Sequence, residues 1–512
     1  MIELVDKFRT LPGGFSNINP FDVVYSAISV GLVGLFGRTV PLLDRLGLSL
    51  DDKWQPGKPL KILLLAYSGA RNTGAESRVG ECIRQLNQLF GEDNIEINML
   101  TLDVAETEEY FKGYKAKFHH MNSVFFLDVF KHVLKNHVIV LPEGSCWKEN
   151  FATALLLYFL YGVGLADRLG KASFSYSVEA GEMNRLNNFL SWHLSRDMTR
   201  IITRSQPSAD VLERIGLQAH SVRVDTAWTM PCQSSAWARS KLKEMGWDGK
   251  KPLCAFAFQN YFWWPVVPDL ARFARSLATG DTKNQYKLVY FYDYDEEDER
   301  RFAAFVDDAV EIMDWLAEEK GAQPVLVAME ALDHDACQEV IGRMKNPALL
   351  VSCHDWVGDQ MAAFLRELHL LMTTRYHAMV LSMPGKVPFV GVSRDERIKG
   401  VMGECDLERE YYVDFRTPDL ARVVERKVER LLDDADERKR VRKVINDNLP
   451  YYFAQMAMLG LDLRNMIREE FPGFPLIELD EDDPLELIPD CPKGLMARTK
   501  ARFKKLKRAE LG

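Results

Sequence analysis

The chain has 512 residues, of which 47% are hydrophobic and 27% charged, and its formal net charge is −9. This length and composition predict a soluble globular protein of two or three domains, and the acidic balance excludes a protein that binds nucleic acid through a basic surface. The eight cysteines form no Cys-x-x-Cys pair and have no histidine at metal-site spacing. We therefore expect reduced cysteines, no metal site and a cytoplasmic location.

Residues 1–56 are interpreted as an N-terminal extension, because a linker rich in Pro, Gly and polar residues follows at 51–59. The extension contains the apolar run Val23–Phe36, which is shorter than the ~18–20 residues that span a bilayer. We expect this run to form a helix that docks on the rest of the protein. An interfacial helix at a membrane surface is the alternative.

Residues 57–230 are predicted to form a first Rossmann-like domain. Short apolar runs alternate with helical stretches, which is typical of strands that are buried on both faces of a parallel sheet. The predicted strands are Leu60–Tyr67, Ile95–Leu102, Val138–Leu141, Ala172–Tyr176 and Arg200–Thr203.

Residues 231–420 repeat this alternation and are predicted to form a second Rossmann-like domain. Its predicted strands are Leu253–Phe258, Lys287–Tyr292, Pro324–Ala328, Ala348–Ser352, His369–Thr373 and Val387–Val392. The fold class is therefore α/β, with two Rossmann-like domains facing across a cleft. Ligands of such domains bind beyond the carboxyl ends of the parallel strands.

The C-terminal part is predicted to be helical over 421–471, followed by an acidic, Pro-rich linker and a basic tail over 472–512. Basic residues interleaved with apolar ones can attach a protein peripherally to an anionic membrane, here its inner face. A disordered, solubilising tail is the other interpretation.

The segment Arg375-Tyr-His377 lies between a predicted buried strand and a short apolar helix. Free backbone N–H groups at a helix start attract anions, and the planar guanidinium of Arg375 suits phosphate or carboxylate. His377 can transfer a proton near neutral pH. Lys399 near the start of the next helix is also predicted to contact an anion.

Loops at the carboxyl ends of the first sheet supply the remaining candidates. Asn72 and Gly74 allow a tight turn beside a ligand, and Arg78 and Arg204 add positive charge. The acidic and hydroxyl candidates at these loops are Glu76, Glu143, Ser145 and Glu179.

The set Asn72-x-Gly74, Pro142-Glu-Gly-Ser145, Arg204-Ser-x-x-Ser208, Arg375-x-His377, Gly385-x-x-Pro388 and Lys399 resembles the polysaccharide pyruvyl transferases over roughly residues 60–405. The resemblance implies a GT-B-like pair of domains and the transfer of pyruvate from phosphoenolpyruvate to two sugar hydroxyls, forming a ketal. It also implies that Arg375 and His377 bind phosphoenolpyruvate. Ala75 departs from the family, which usually has Asp at this position.

The expected activity is therefore phosphoenolpyruvate-dependent pyruvyl transfer to a sugar of a cell-surface polysaccharide or its lipid-linked precursor, without a further cofactor or metal. The expected catalytic residues are His377, Arg375 and Glu76. Two alternatives remain: a GT-B glycosyltransferase that uses a nucleotide sugar, and an inactive homologue that acts as a scaffold in cell-envelope synthesis.

Overall fold

A computed structural model describes residues 2–14, 18–264, 266–287 and 289–511. The first domain contains a five-stranded parallel sheet in the order β3-β2-β1-β4-β5, and a small parallel pair, β6 and β7, extends it. These strands are β1 Leu60–Leu65, β2 Ile95–Thr101, β3 Lys117–His120, β4 Val138–Leu141, β5 Ala172–Ser175, β6 Ile202–Thr203 and β7 Ser221–Val222.

Helices cover both faces of this sheet and bury its apolar strands. The central strands β1 and β4 are almost fully buried, which accounts for their continuous apolar sequences. The helices of this half are α1 Ile2–Thr10, α2 Pro20–Arg45, α3 Thr73–Phe90, α4 Val104–Tyr110, α5 Phe126–Lys135, α6 Thr153–Arg168, α7 Arg185–Ser195 and α8 Gln206–Ile215.

The second domain is built on a six-stranded parallel sheet in the order β13-β12-β8-β14-β15-β16. Its strands, together with those of a small antiparallel sheet, are β8 Leu253–Ala257, β9 Val266–Pro268, β10 Gln285–Lys287, β11 Tyr290–Tyr292, β12 Gln323–Ala328, β13 Leu349–Ser352, β14 Leu370–Thr373, β15 Phe389–Val392 and β16 Tyr412–Val413. Its helices are α9 Ser235–Glu244, α10 Leu270–Thr279, α11 Glu296–Glu318, α12 Ala331–Arg343, α13 Gly358–Arg366, α14 Tyr376–Ser382, α15 Glu396–Glu404, α16 Glu408–Tyr411 and α17 Leu420–Asp433.

The predicted parallel strand Lys287–Tyr292 is wrong. The antiparallel strands β10, β11 and β9 form a separate three-stranded sheet in this region, and Leu288 lies outside the described residues. Apolar residues pack equally well in either type of sheet, so the periodicity could not distinguish an added antiparallel sheet from a core strand.

The helix α18, Ala435–Glu470, connects the two domains along one side. Tyr452 stacks on Trp228 with ring centroids 3.9 Å apart and donates a hydrogen bond to Glu404. Further along α18, buried Arg464 donates to the carbonyl of Leu89 in the first domain.

The basic tail forms the helix α20, Met496–Leu511, which follows the short α19, Pro484–Leu487, and packs against α18. The interpretation of a disordered tail is therefore wrong. Three of its cations bind acidic side chains: Lys500 contacts Asp483, Lys507 contacts Asp482 and Arg498 contacts Asp447. Two of the eight basic residues of the tail are thus paired with the acidic linker, and one is paired with α18.

The N-terminal helix α2 packs against α6, and its Phe36 stacks on Phe130 at 3.8 Å. This helix has 26 residues and a mean hydropathy of 1.6 over its most apolar window, so its length and composition would allow it to span a membrane. Only 22% of that window is buried. The helix is therefore docked along one side and leaves apolar side chains exposed on the other.

Candidate functional site

A cleft of about 1080 Å³ lies between the two domains, beyond the carboxyl ends of their parallel strands. Ser145, Lys148 and Glu179 reach it from the first domain, and Arg375 and Arg397 reach it from the second. An inner cavity of about 130 Å³ adjoins its floor and is lined by Asn72, Gly74, Glu143 and His377, among others. The two domains thus place most of the predicted loops around one connected space.

His377 lies in the first turn of α14, against the loop that begins α3. A Cβ at Gly74 would overlap the imidazole ring, so only glycine permits this approach. Asn72 caps α3 by accepting hydrogen bonds from the backbone N–H groups of Gly74 and Ala75. The predicted Asn72-x-Gly74 turn therefore helps to position His377.

Asp225 lies behind His377, with its Oδ2 at 3.5 Å from His377 Nε2. The same carboxylate accepts hydrogen bonds from Arg78 at 2.6 Å and Arg204 at 2.9 Å. Burial would raise the pKa of Asp225, but Arg78, His377 and Arg204 together hold it well below its usual value. Asp225 is thus a buried anion that contacts His377, Arg78 and Arg204, and no local sequence pattern indicated it.

Burial lowers the pKa of His377 and outweighs the opposing effect of Asp225. The lowered pKa favours the neutral imidazole, which is the form that can accept a proton. Glu143 lines the same cavity, and burial raises the pKa of its carboxyl group although Arg78 and Arg204 oppose the shift. The inner cavity thus contains a base candidate and an acid candidate.

Arg78 and Arg204 are buried structural cations. Arg78 also donates to the carbonyl of Ser177, and Arg204 forms an ion pair with Glu179, which is paired with Lys148 as well. A Cβ at Gly144 would lie 3.1 Å from Arg204 Nη1, which is tighter than an ordinary contact. The predicted cations are present, but internal carboxylates already occupy these two guanidinium groups.

Arg375 does not offer the free fork that the sequence predicts. Its guanidinium group binds both oxygens of Asp333 and lies 3.0 Å from Glu330. These two carboxylates lie at the start of α12, more than 40 residues before Arg375, so the local motif could not show them. Arg375 still lines the cleft, where it forms part of the wall and presents the edge of its guanidinium group that these carboxylates do not bind.

Lys399 and Glu76 lie away from the cleft, contrary to prediction. Lys399 is 43% exposed in its side chain and pairs with Glu408 at 3.8 Å. Lys399 lies two positions after Arg397 on α15. Side chains two positions apart point about 200° away from each other around a helix, so Lys399 does not share the face of Arg397. Glu76 is buried beside the backbone of Gly69 and Arg71 and does not line the inner cavity.

The cations that do reach the cleft from this segment are Arg394 and Arg397. Arg397 binds Asp395 in a bidentate pair and, like Arg204, lies over the ring of Tyr376. Arg394 is exposed and forms no ion pair with any residue that the structure describes. The loop after β15 and the start of α15 thus bring cations to the cleft, but these are Arg394 and Arg397 and not the predicted Lys399.

Two solved structures share the arrangement of this chain. A candidate UDP-N-acetylglucosamine 2-epimerase from Listeria monocytogenes is 12% identical, with a TM-score of 0.50 over 82% of this chain and 100% of that chain. The Anabaena HepE protein, solved in complex with UDP-glucose, is 12% identical, with a TM-score of 0.51 over 79% of this chain and 100% of that chain. The likeness shows the fold, and the predicted GT-B-like pair of Rossmann-like domains is confirmed.

No protein-family model and no curated protein sequence matches the chain. The resemblance to polysaccharide pyruvyl transferases is wrong, because no such match supports it and the structural neighbours are UDP-sugar proteins. The prediction of a phosphoenolpyruvate-dependent enzyme, which depended on that resemblance, is therefore also wrong. The motifs that carried the resemblance are short loop sequences, which unrelated chains of the same fold class can share.

Proposed function

We propose that this protein is a glycosyltransferase that uses a nucleotide sugar as its donor. The observation that carries the proposal is the position of His377 at the floor of an interdomain cleft, held between Gly74 and Asp225. The GT-B-like fold supports it, since one structural neighbour was solved with UDP-glucose.

The cleft wall in the second domain suits a nucleoside diphosphate. Tyr261, Phe262, Trp264 and Phe415 give it aromatic surface on which a base can stack, and Arg394 is a cation without an internal partner. Gln259 adds a polar group at the end of β8. These groups lie at the edge of the parallel sheet where such domains bind nucleotides.

In the proposed reaction, an acceptor hydroxyl attacks the anomeric carbon of the donor. The bond from that carbon to the phosphate oxygen breaks with its electron pair, and the nucleoside diphosphate leaves. His377 takes the hydroxyl proton, and Asp225 stabilises the imidazolium that forms. Arg394 and Arg397 stabilise the charge that develops on the diphosphate.

Calorimetric titration with UDP and UDP-glucose, followed by chromatographic measurement of released UDP with a crude glycan acceptor, tests this proposal. Arg394→Ala should weaken UDP binding at least tenfold, which corresponds to about 1.5–3 kcal/mol for a charged hydrogen bond. His377→Ala should bind UDP normally and lose turnover. Lys399→Ala is the matched control, and an equal loss in that variant, or no UDP binding at all, would refute the proposal.

Epimerisation of the nucleotide sugar is a second candidate, because Glu143 and His377 line the same small cavity and offer an acid candidate and a base candidate for proton transfer to and from one sugar. The same chromatographic assay distinguishes the two reactions. An epimerase converts one UDP-sugar into another without an acceptor, whereas a transferase releases UDP only when an acceptor is present.

A further inference from the structure

The inner cavity around His377 adjoins a groove of about 450 Å³. The two spaces share the lining residues Tyr67, Ala152, Leu155, Val266 and Tyr286. The hydroxyl groups of Tyr67 and Tyr286 are hydrogen bonded to each other at this boundary. The groove therefore ends close to the inner cavity, and its other lining residues include Phe21 and Tyr25 of α2.

The groove is lined almost entirely by apolar and aromatic groups. Phe21 and Tyr25 come from α2, Phe125 from the loop before α5 and Phe273 from α10. No charged side chain lines it among the residues that the structure describes. An apolar groove without charges suits a hydrocarbon chain, because a polar or charged ligand would lose its hydration there without gaining partners.

The helices beside the mouth of the groove expose further apolar side chains on the same faces. On α2, Val24 and Ile28 follow Phe21 by three and seven positions and are 57% and 43% exposed. On α10, Leu270 and Leu277 flank Phe273 at helical spacing and are 58% and 72% exposed. The apolar lining therefore continues outward over two helices as one exposed patch.

The charge of α10 is that of a helix on a lipid surface. Arg275 is exposed and forms no ion pair with the described residues, and α10 itself contains no acidic side chain. Arg275 is two positions from both Phe273 and Leu277, so it lies on the opposite face of the helix. An apolar face opposite a basic polar face is typical of helices that lie on a membrane. This charge pattern favours lipid over a second copy of the chain as the occupant.

We infer that the groove binds the hydrocarbon chain of an amphiphilic acceptor, which the patch on α2 and α10 draws from a lipid surface. The polar head of the acceptor then lies at the end of the groove that borders the inner cavity and His377. The chemistry of that head rests on the proposed glycosyl transfer, whereas the binding of the chain does not. The lipid contact thus lies at α2 and α10 rather than at the basic tail, which is docked on α18.

Titration with hexyl, octyl and decyl phosphate at concentrations below their micelle formation tests the groove. Each added methylene should tighten binding roughly fourfold, as expected for the burial of one CH₂ group. Phe273→Glu should weaken decyl phosphate binding at least tenfold. Leu277→Glu lies one turn further along α10, outside the groove lining, and should bind it normally. An affinity independent of chain length, or equal losses in both variants, would overturn the inference.

Flotation with vesicles of phosphatidylcholine and phosphatidylglycerol tests the source of the chain. The wild type should float, and the double variant Val24→Glu, Leu277→Glu should remain in solution. The control is Leu46→Glu, Leu48→Glu, which changes equally exposed leucines beyond the far end of α2. Failure of the wild type to float, or self-association that the first double variant abolishes, would overturn the lipid source.

UDP titration of the same preparations separates this inference from the proposed function. Decyl phosphate binding with normal chain-length dependence and no UDP binding would refute the nucleotide-sugar enzyme alone. UDP binding without any chain-length dependence would refute the groove alone.

Discussion

Gly74 determines how closely the first domain approaches His377, because the imidazole occupies the space that a side chain would need. Gly74→Ala places a methyl group against the ring while leaving the hydrogen bonds that Asn72 accepts from Gly74 and Ala75 in place. We expect the ring to shift by about 1 Å and turnover to fall about a hundredfold, with little change in UDP binding. Steady-state kinetics and calorimetry measure the two effects separately. Gly80→Ala on the same helix is the control, since a Cβ there is no closer than 3.2 Å to Tyr114; an equal loss in that variant would contradict the prediction.

Glu76 gives the fold a specific dependence on pH. Burial, opposed by backbone N–H groups of Gly69 and Arg71, raises the pKa of its carboxyl group to about 8. A carboxyl group whose pKa is higher in the folded than in the unfolded protein stabilises the fold fully at pH values below its pKa in the unfolded protein. This stabilisation is lost as the pH rises through the pKa in the folded protein. Between pH 6 and pH 8 the wild type should therefore lose about 2 kcal/mol of unfolding free energy relative to Glu76→Gln. Urea unfolding at both pH values measures the difference, and parallel pH profiles for the two proteins would contradict it.

At the scale of the elements, the buried strands and their division into two parallel sheets could be predicted from the sequence. Continuous apolar runs such as Leu60–Leu65 and Phe389–Val392 carry that information locally. The partners of Arg375 and Arg78 could not be predicted, because Asp333 and Asp225 lie 42 and 147 positions away along the chain. A charged residue at a strand end marks the site, but only tertiary contacts show whether its charge is free.

The helix α20 depends on apolar anchoring as well as on its ion pairs. Phe503 and Leu495 are buried against the body of the protein, whereas Lys504 and Lys505 are exposed. Phe503→Ala should cost about 3–5 kcal/mol of unfolding free energy, as is usual for a buried aromatic residue. Lys505→Ala, on the exposed face, should cost less than about 0.5 kcal/mol. Chemical denaturation of the two variants tests this, and similar values would show that the tail is held by charge alone.

At the scale of the whole molecule, α18 should make the two domains unfold together. It connects them through the stack of Tyr452 on Trp228, the hydrogen bond to Glu404 and the contact of Arg464 with Leu89. The backbone N–H of Thr73 also donates to the carbonyl of Met329 across the interface. Differential scanning calorimetry should therefore show one transition, and UDP at a hundred times its Kd should stabilise the whole protein by about 2.7 kcal/mol.

Tyr452→Ala, which removes the stack and the hydrogen bond, should split the transition into two. UDP should then shift only the transition of the domain that contains Arg394. Two transitions in the wild type would show that the domains fold independently and that α18 does not couple them.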